Sequence, residues 1–338
     1  MDETQPPSCC KKILIIRFSS IGDIVLTTPV VRAIKEQVKP VEIHYLTKKE
    51  NENILIPNPH ITKVHTFCGS IQSCITELNG EHFDYIVDLQ KNKKSKKICH
   101  ALHVPWSTFN KHNIKKWIFV NLKINLLPNQ HIVNLYFDAV KPLQVQNDHK
   151  GLEYYIPKKE EFDKLDLPIV FEDGFVAVVL GSIHGTKRIP AQKIIEIATI
   201  LHKPIMLLGG KDVIFTAEEI VARLGERAYN GCGRFSLHQS ASIIKQSNCV
   251  LTGDTGLMHI SAALHKPIAS LWGNTVPEFG MYPYLPGEPF LFRVFEICTL
   301  SCRPCSKLGF KKCPKKHYKC MNSISAVEVA EWINQFQE

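Results

Sequence analysis

Twice along this chain, short apolar runs rich in β-branched residues alternate with segments of helical spacing, and few folds accept that order. The first half offers KILIIRF, VEIHYLT, ITKVHTF, FDYIVDL and HVPWSTF as strands. Between the first two, Val25, Val30, Val31 and Ile34 fall on one helical face, and 131–141 reads as a further helix. A polar passage with proline and lysine, NDHKGLEYYIPKKEEFDKLDLP, reads as the connection between domains. Alternation then resumes with FVAVVLG, PIMLLGG, CVLTGD and PIASLWG, separated by helical patterns at 191–202, 213–224 and 238–246. Strands alternating with helices give parallel sheets covered on both faces. The expectation is an α/β protein of two doubly wound, Rossmann-like domains facing across a cleft. They span 11–160 and 171–323, the second including a cysteine-rich segment 298–320. The last stretch, 324–338, contains SAVEVAEWINQF, an amphipathic helix with Ser325 as N-cap, expected to pack back towards the first domain. A length of 338 residues suits two domains of about 150 residues each.

Composition narrows the setting. With 44% hydrophobic and 22% charged residues the chain has the balance of a globular protein. No stretch approaches the ~20 apolar residues that cross a bilayer. The opening MDETQPPSCCKK lacks the basic-then-apolar order of a secretory leader, so a cytoplasmic protein is expected. The net charge of +9 suits an acidic partner: a nucleotide, a phosphorylated glycolipid, an anionic membrane face or a nucleic acid. A surplus of lysine also serves solubility.

In doubly wound sheets ligands sit beyond the carboxyl ends of the strands, so the turns that follow strands carry the chemistry. After the first strand comes SSIGD, with a single glycine, Gly22, followed by Asp23. A carboxylate there repels a pyrophosphate, so this turn does something other than hold one; the plain alternative is a helix cap. In CVLTGDTGLMHISAALHKPIASLWG, residues 249–273, a strand runs through Gly253, Asp254, Thr255 and Gly256 into a helix. Glycines let backbone N–H groups approach a ligand and the helix N-terminus adds partial positive charge, which is a phosphate site in physical terms. Thr255 adds a hydroxyl, and His259 lies one turn on; the alternative is that Asp254 caps the helix and His259 packs inside. LGSIHGTKRIP sets Ser182 and Lys187 on a loop that suits a leaving diphosphate, or simply a solvated lysine. LLGGKD offers Asp212 for ribose hydroxyls or as a cap. The run KNKKSKK, 91–97, offers Lys91, Lys94 and Ser95 to an anionic ligand, or is a solvated face.

These turns, with the opening SSIGDIVLTTP, resemble the ADP-heptose:lipopolysaccharide heptosyltransferase family, glycosyltransferase family 9, of GT-B architecture. DLQKNKKSKK resembles that family's acceptor-side segment, GDTGLMHISAALHKP its nucleotide signature, and CRPCSKLGFKKCPKKHYKCM its cysteine-containing tail. The likeness runs in consistent order from about residue 12 over essentially the whole chain. It implies an inverting transfer of heptose from ADP-heptose to the inner core of lipopolysaccharide, at the cytoplasmic face of the inner membrane. Asp23 would be the catalytic base, and Ser20, Gly22, Lys91, Lys94 and Ser95 would meet the acceptor. Ser182, Lys187, Asp212, Asp254, Thr255, Gly256 and His259 would hold the donor. Many members carry two adjacent hydroxyl residues where this chain has Ser182-Ile183. No cofactor is implied for the chemistry, because Lys187 and a helix N-terminus can neutralise a leaving diphosphate.

Twelve cysteines are many, and five lie between 298 and 320. Cys302 and Cys305 have the spacing of half a zinc site, and Cys313 and Cys320 are looser partners; structural zinc, reduced thiols and a disulfide all remain readings of this tail. Two other functions fit parts of the sequence. A non-catalytic sugar-nucleotide binder would keep the second-domain turns without needing Asp23. A nucleic-acid binder with a cysteine knuckle would want aromatic residues among its lysines, which KNKKSKK lacks, so no nucleic-acid partner is expected.

Overall fold

The computed structural model describes residues 10–163 and 167–336. The reading of the N-terminus rests largely on 1–9, which lie outside the described residues, as do 164–166 of the connection. The chain divides into two compact units, Met1–Lys111 with Ile132–Tyr155, and His112–His131 with Ile156–Glu338.

The first unit is built on β1 (Lys11–Ile16), β2 (Val41–Lys48), β3 (Lys63–Phe67), β4 (Tyr85–Asp88) and β5 (Trp106–Thr108). They form one parallel sheet in the order β3-β2-β1-β4-β5. Ile13 to Ile16 are fully buried, as a strand covered on both faces requires. One face carries Leu14, Ile16, Leu46 and Ile86 against Ile75 and Leu78 of helix Ile71–Asn79 and Ile98 of helix Lys93–Ala101.

In the second unit β6 (Val176–Val179), β7 (Ile205–Leu208), β8 (Ala228–Asn230), β9 (Cys249–Gly253), β10 (Ile268–Trp272) and β11 (Phe292–Glu296) pair in parallel in the order β11-β10-β9-β6-β7-β8. Strand alternation splits its core into two layers. Val176 and Val178 face Ile194 and Ile197 of helix Ala191–Ala198, whereas Ala177 and Val179 face Ile243 and Ile244 of helix Leu237–Gln246. Each fully buried aliphatic side chain contributes about 1.5–3 kcal/mol.

Two expectations about organisation are corrected. Segment 112–131, expected in the first domain, groups with the second unit. The reason lies in its contacts there: the buried Lys116 donates Nζ to the carbonyl of Phe279 (3.3 Å), and the rings of Phe119 and Phe279 pack edge to face. Helix Ala326–Asn334, expected to return to the first domain, instead places Val329, Ala330, Trp332 and Ile333 in the second unit's core, against helix Ala191–Ala198 and β10. Ser325 caps it as expected, its hydroxyl accepting from the Glu328 N–H (3.3 Å).

Candidate active site

Each sheet has one place where strand order reverses, between β1 and β4 in the first unit and between β6 and β9 in the second. Crevices beyond the carboxyl ends of strands open at such places. The sequence-predicted residues gather at both.

In the first unit β1 runs into Arg17, then through Ser19 and Ser20 into the short helix Ile21–Val25. Asp23 sits in that helix's first turn. Its Oδ2 accepts from the Ser20 N–H (3.0 Å) and the Ser20 hydroxyl (2.7 Å), and its Oδ1 lies 2.5 Å from the Arg17 guanidinium. The capping alternative is thus realised on one carboxylate oxygen, while the other carries an ion pair; the side chain remains 20% exposed. Arg17 is buried and donates Nε to the Ser19 carbonyl (2.9 Å) and Nη1 to the Leu89 carbonyl (2.6 Å). Burial opposes its charge, but Asp23, Tyr136 and Tyr45 outweigh that and raise its pKa. Arg17 therefore ties the β1 turn to the β4 turn and holds Asp23 between them. A lone arginine at the end of an apolar strand carries no sequence pattern that would mark this role.

The basic run behaves differently from its expected form. It is the entry to helix Lys93–Ala101, capped by Asn92, whose side chain accepts from the Ser95 N–H (2.9 Å). Ser95 is fully buried and donates to the Asp88 carboxylate (2.8 Å). Its hydroxyl locks the β4 turn, so an acceptor contact through it is not available in this geometry. Asp88 also accepts from the N–H groups of Gln90 (2.9 Å) and Lys91 (2.8 Å). Burial raises its pKa against those hydrogen bonds. Lys91 donates Nζ to the Phe109 carbonyl (2.5 Å), and Lys94 lies over the Phe67 ring at 5.3 Å. Gly22 is buried in its helix beside Asp23.

In the second unit the β6 and β9 turns meet directly. Lys187 Nζ is 2.5 Å from Asp254 Oδ2, which also accepts from the Thr275 hydroxyl (2.9 Å). A Cβ on Gly253 would fall 2.3 Å from the Lys187 carbonyl oxygen, so the close approach of the two turns depends on glycine there. Thr255 caps helix Gly256–Ala263, accepting from the Met258 N–H (3.3 Å) and contacting Thr252 Oγ1 (3.1 Å). His259 is on that helix with 2% exposure, in agreement with the packed alternative. Arg188 donates to the Ser182 carbonyl (2.9 and 2.7 Å) and pairs with Asp212, which binds the β6 turn to the β7 turn and occupies Asp212. The Asp254–Lys187 pair, Thr255 and Gly256 come together; Arg188 joins Asp212 to the β6 turn that carries Lys187.

The cysteine-rich tail supports this cluster from behind. Thr186 exchanges backbone and hydroxyl hydrogen bonds with Phe310 (2.9–3.1 Å). The buried Arg303 donates to the carbonyls of Gly273 (2.5 Å), Ile297 (2.8 Å) and Thr275 (3.0 Å) and pairs with Glu296 (2.6 Å). Neither Arg188 nor Arg303 was singled out from sequence, because an isolated arginine in a loop carries no pattern. Cys302 lies 3.8 Å from His317 Nε2, and burial together with Cys302 pushes the Cys305 thiol up to about 12. Among the described residues, Cys302, Cys305, Cys313 and Cys320 do not form a group whose ligand atoms all lie within 4.8 Å; only His44, His65 and Glu81 do. The four thiols nonetheless stand near one another: Cys302 and Cys320 act on the Cys305 thiol, and Cys302 and Cys313 on that of Cys320.

The profile of glycosyltransferase family 9 (heptosyltransferase) matches residues 71–312. The chain belongs to glycosyltransferase family 9. Among curated proteins, lipopolysaccharide heptosyltransferase 1 of Campylobacter coli is 25% identical over 296 residues, covering 78% of this chain and 84% of that one. Among solved structures, Escherichia coli ADP-heptose lipopolysaccharide heptosyltransferase II superposes with a TM-score of 0.73 at 20% identity, covering 96% and 98% of the two chains. E. coli heptosyltransferase WaaC with ADP gives 0.68 at 18%, covering 96% and 99%. The fold of this family 9 glycosyltransferase is accordingly GT-B, two parallel-sheet α/β domains, as its own topology shows. Among the described residues no helix is long and apolar enough to cross a membrane.

Proposed function

We propose that the chain transfers heptose, with inversion, from ADP-heptose to a sugar of the lipopolysaccharide inner core. Asp23 carries the reading: a partly exposed carboxylate at the switch point of the first sheet, oriented on both oxygens by Arg17 and Ser20. Capping and the Arg17 pair leave this carboxylate partly exposed, which a base needs and a binder of sugar nucleotides does not. The ADP in the WaaC structure supports the same leaving group here.

As the acceptor hydroxyl oxygen bonds to the anomeric carbon, its proton passes to the Asp23 carboxylate. The bond from that carbon to the diphosphate oxygen breaks on the opposite side, and ADP leaves. The Lys187 ammonium and the N–H groups opening helix Gly256–Ala263 receive the charge. Asp254 would repel a diphosphate that faced it, so its part is to aim Lys187 and, with Thr275, fix the turn. Ser182 and Thr255 supply hydroxyls, and Lys91 and Lys94 meet anionic groups of the acceptor after exchanging their present partners. The enzyme works in the cytoplasm at the inner membrane face, where such an acceptor is presented.

Asp23→Asn keeps the size and the acceptor that Ser20 uses, but removes the base and the ion pair with Arg17. Heptosyl transfer should fall by about 10²–10⁴-fold, while calorimetry shows ADP binding within about twofold of wild type. Wild-type turnover in this variant would remove Asp23 from the role.

A further inference from the structure

On the edge of the first sheet, away from the turns just described, two buried imidazoles meet. His44 on β2 and His65 on β3 are 3% and 2% exposed, and His44 Nδ1 lies 2.9 Å from His65 Nε2. Glu81, just past helix Ile71–Asn79, brings Oε2 to 3.7 Å from His44 Nδ1 and Oε1 to 3.9 Å from His65 Nε2. Three different elements thus converge on one point, with Phe83 edge-on to both rings.

The surroundings orient the two rings as ligands. His65 Nδ1 is 2.9 Å from the Glu77 carboxylate, which fixes the proton on Nδ1 and leaves the Nε2 lone pair facing His44. Behind His44, Nε2 faces Glu42 at 3.9 Å. A carboxylate behind each imidazole is the arrangement that holds metal-bound histidines. Around the pair, Lys12 meets Glu42 and Glu81, Lys63 meets Glu81, and Glu77 meets His65.

We propose that His44, His65 and Glu81 form a divalent transition-metal site of the Zn²⁺ class that ties β2, β3 and the segment after helix Ile71–Asn79 together. Nitrogens bound at about 2.0–2.1 Å around a tetrahedral ion stand roughly 3.3 Å apart. Opening the imidazole pair by a few tenths of an ångström and turning the Glu81 carboxylate so that one oxygen faces both nitrogens, from a start in which the three ligand atoms lie within 4.8 Å of one another, reaches that geometry. The His44 proton moves from Nδ1 to Nε2, towards Glu42, so both facing nitrogens present lone pairs and no proton need be released. Glu81 exchanges Lys63 and Lys12 for the ion, and water fills the fourth position. The site is independent of the transfer chemistry and of the thiol-rich tail.

Metal-stripped full-length protein is titrated with Zn²⁺, followed by thermal unfolding, and with Co²⁺, followed by absorption. One site is expected that raises the melting temperature and gives cobalt d–d bands without a sulfur charge-transfer band. It persists in C302S/C305S, is lost in His65→Gln, and weakens about 10–100-fold in Glu77→Gln, a half-exposed position whose variant folds whatever His65→Gln does. Failure of the protein to bind Zn²⁺, loss of the site in C302S/C305S, or unchanged affinity in Glu77→Gln overturns the proposal.

Discussion

Asp23 and Arg17 show how one residue decides what another can do. Arg17 reaches three acceptors from a buried position, the Ser19 and Leu89 carbonyls and the Asp23 carboxylate, which only a planar fork of donors can do at once. Arg17→Lys keeps the charge but not the fork. We expect it to lose about 1.5–3 kcal/mol in urea unfolding and to lower transfer with ADP affinity retained; full transfer would mean that Asp23 needs no such anchor. A second buried group sets acid sensitivity. Burial pushes His131 down to about 3, while its Nε2 donates to the Tyr282 carbonyl (2.8 Å) and its ring stacks on Tyr284. A base whose folded pKa lies below its unfolded value of about 6.5 contributes stability above that pH. That contribution is lost as pH falls from about 6.5 towards 3, by about 1.4 kcal/mol per pH unit. His131→Gln keeps a donor without the titration, so its stability should decline less than wild type between pH 7 and pH 5. Parallel declines in urea midpoints would show that His131 is not a source of the loss.

At the scale of elements, periodicity was most readable where a segment is buried on both sides. The strands around Ile13–Ile16 and Val176–Val179 stand where their apolar runs suggest, because a parallel strand between two helical layers has no polar face to confuse the pattern. Strands β8 and β11 were missed. β8 is three residues long, and β11, FRVFE, mixes charge into an edge position where only one side needs a partner. KNKKSKK was read for its charge, yet Asn92 and Ser95 make it a helix start, a capping pattern hidden inside a basic run. The turns of the candidate site were legible through glycine, while the arginines that brace them were not. Gly253 shows why glycine carries so much of that signal. A methyl group there meets the Lys187 carbonyl, so Gly253→Ala must push the β6 and β9 turns apart. A cost of about 1–3 kcal/mol in urea unfolding is expected, with weaker ADP binding by calorimetry because Lys187 and Asp254 lose register. Unchanged ADP affinity would separate the Lys187–Asp254 pair from the donor site.

For the molecule as a whole, a charge of +9 and one stretch of exposed apolar surface point the same way. Helix Asn113–Leu122 and the residues after it expose Ile114 (77%), Trp117 (60%), Leu122 (57%), Ile124 (53%) and Leu126 (50%), with Lys115 exposed among them. Large apolar residues left in water beside lysine suit an anionic membrane surface, which takes the rings and aliphatic chains at the headgroup level and the ammonium groups among phosphates. Such attachment has two signatures that separate it from simple stickiness. The Coulomb part is screened over about 8 Å at physiological salt, so binding to phosphatidylglycerol vesicles should fall as salt rises, and neutral phosphatidylcholine vesicles should bind weakly throughout. The apolar part depends on insertion: burying a large side chain contributes about 1.5–3 kcal/mol, and every 1.4 kcal/mol is tenfold in affinity. Trp117→Ser should therefore weaken partitioning into anionic vesicles by about tenfold in a sedimentation assay. It should leave transfer to a short, water-soluble acceptor unchanged, because Trp117 takes no part in either cluster of the candidate site. Equal binding of the variant and wild type would remove Trp117 from any membrane attachment.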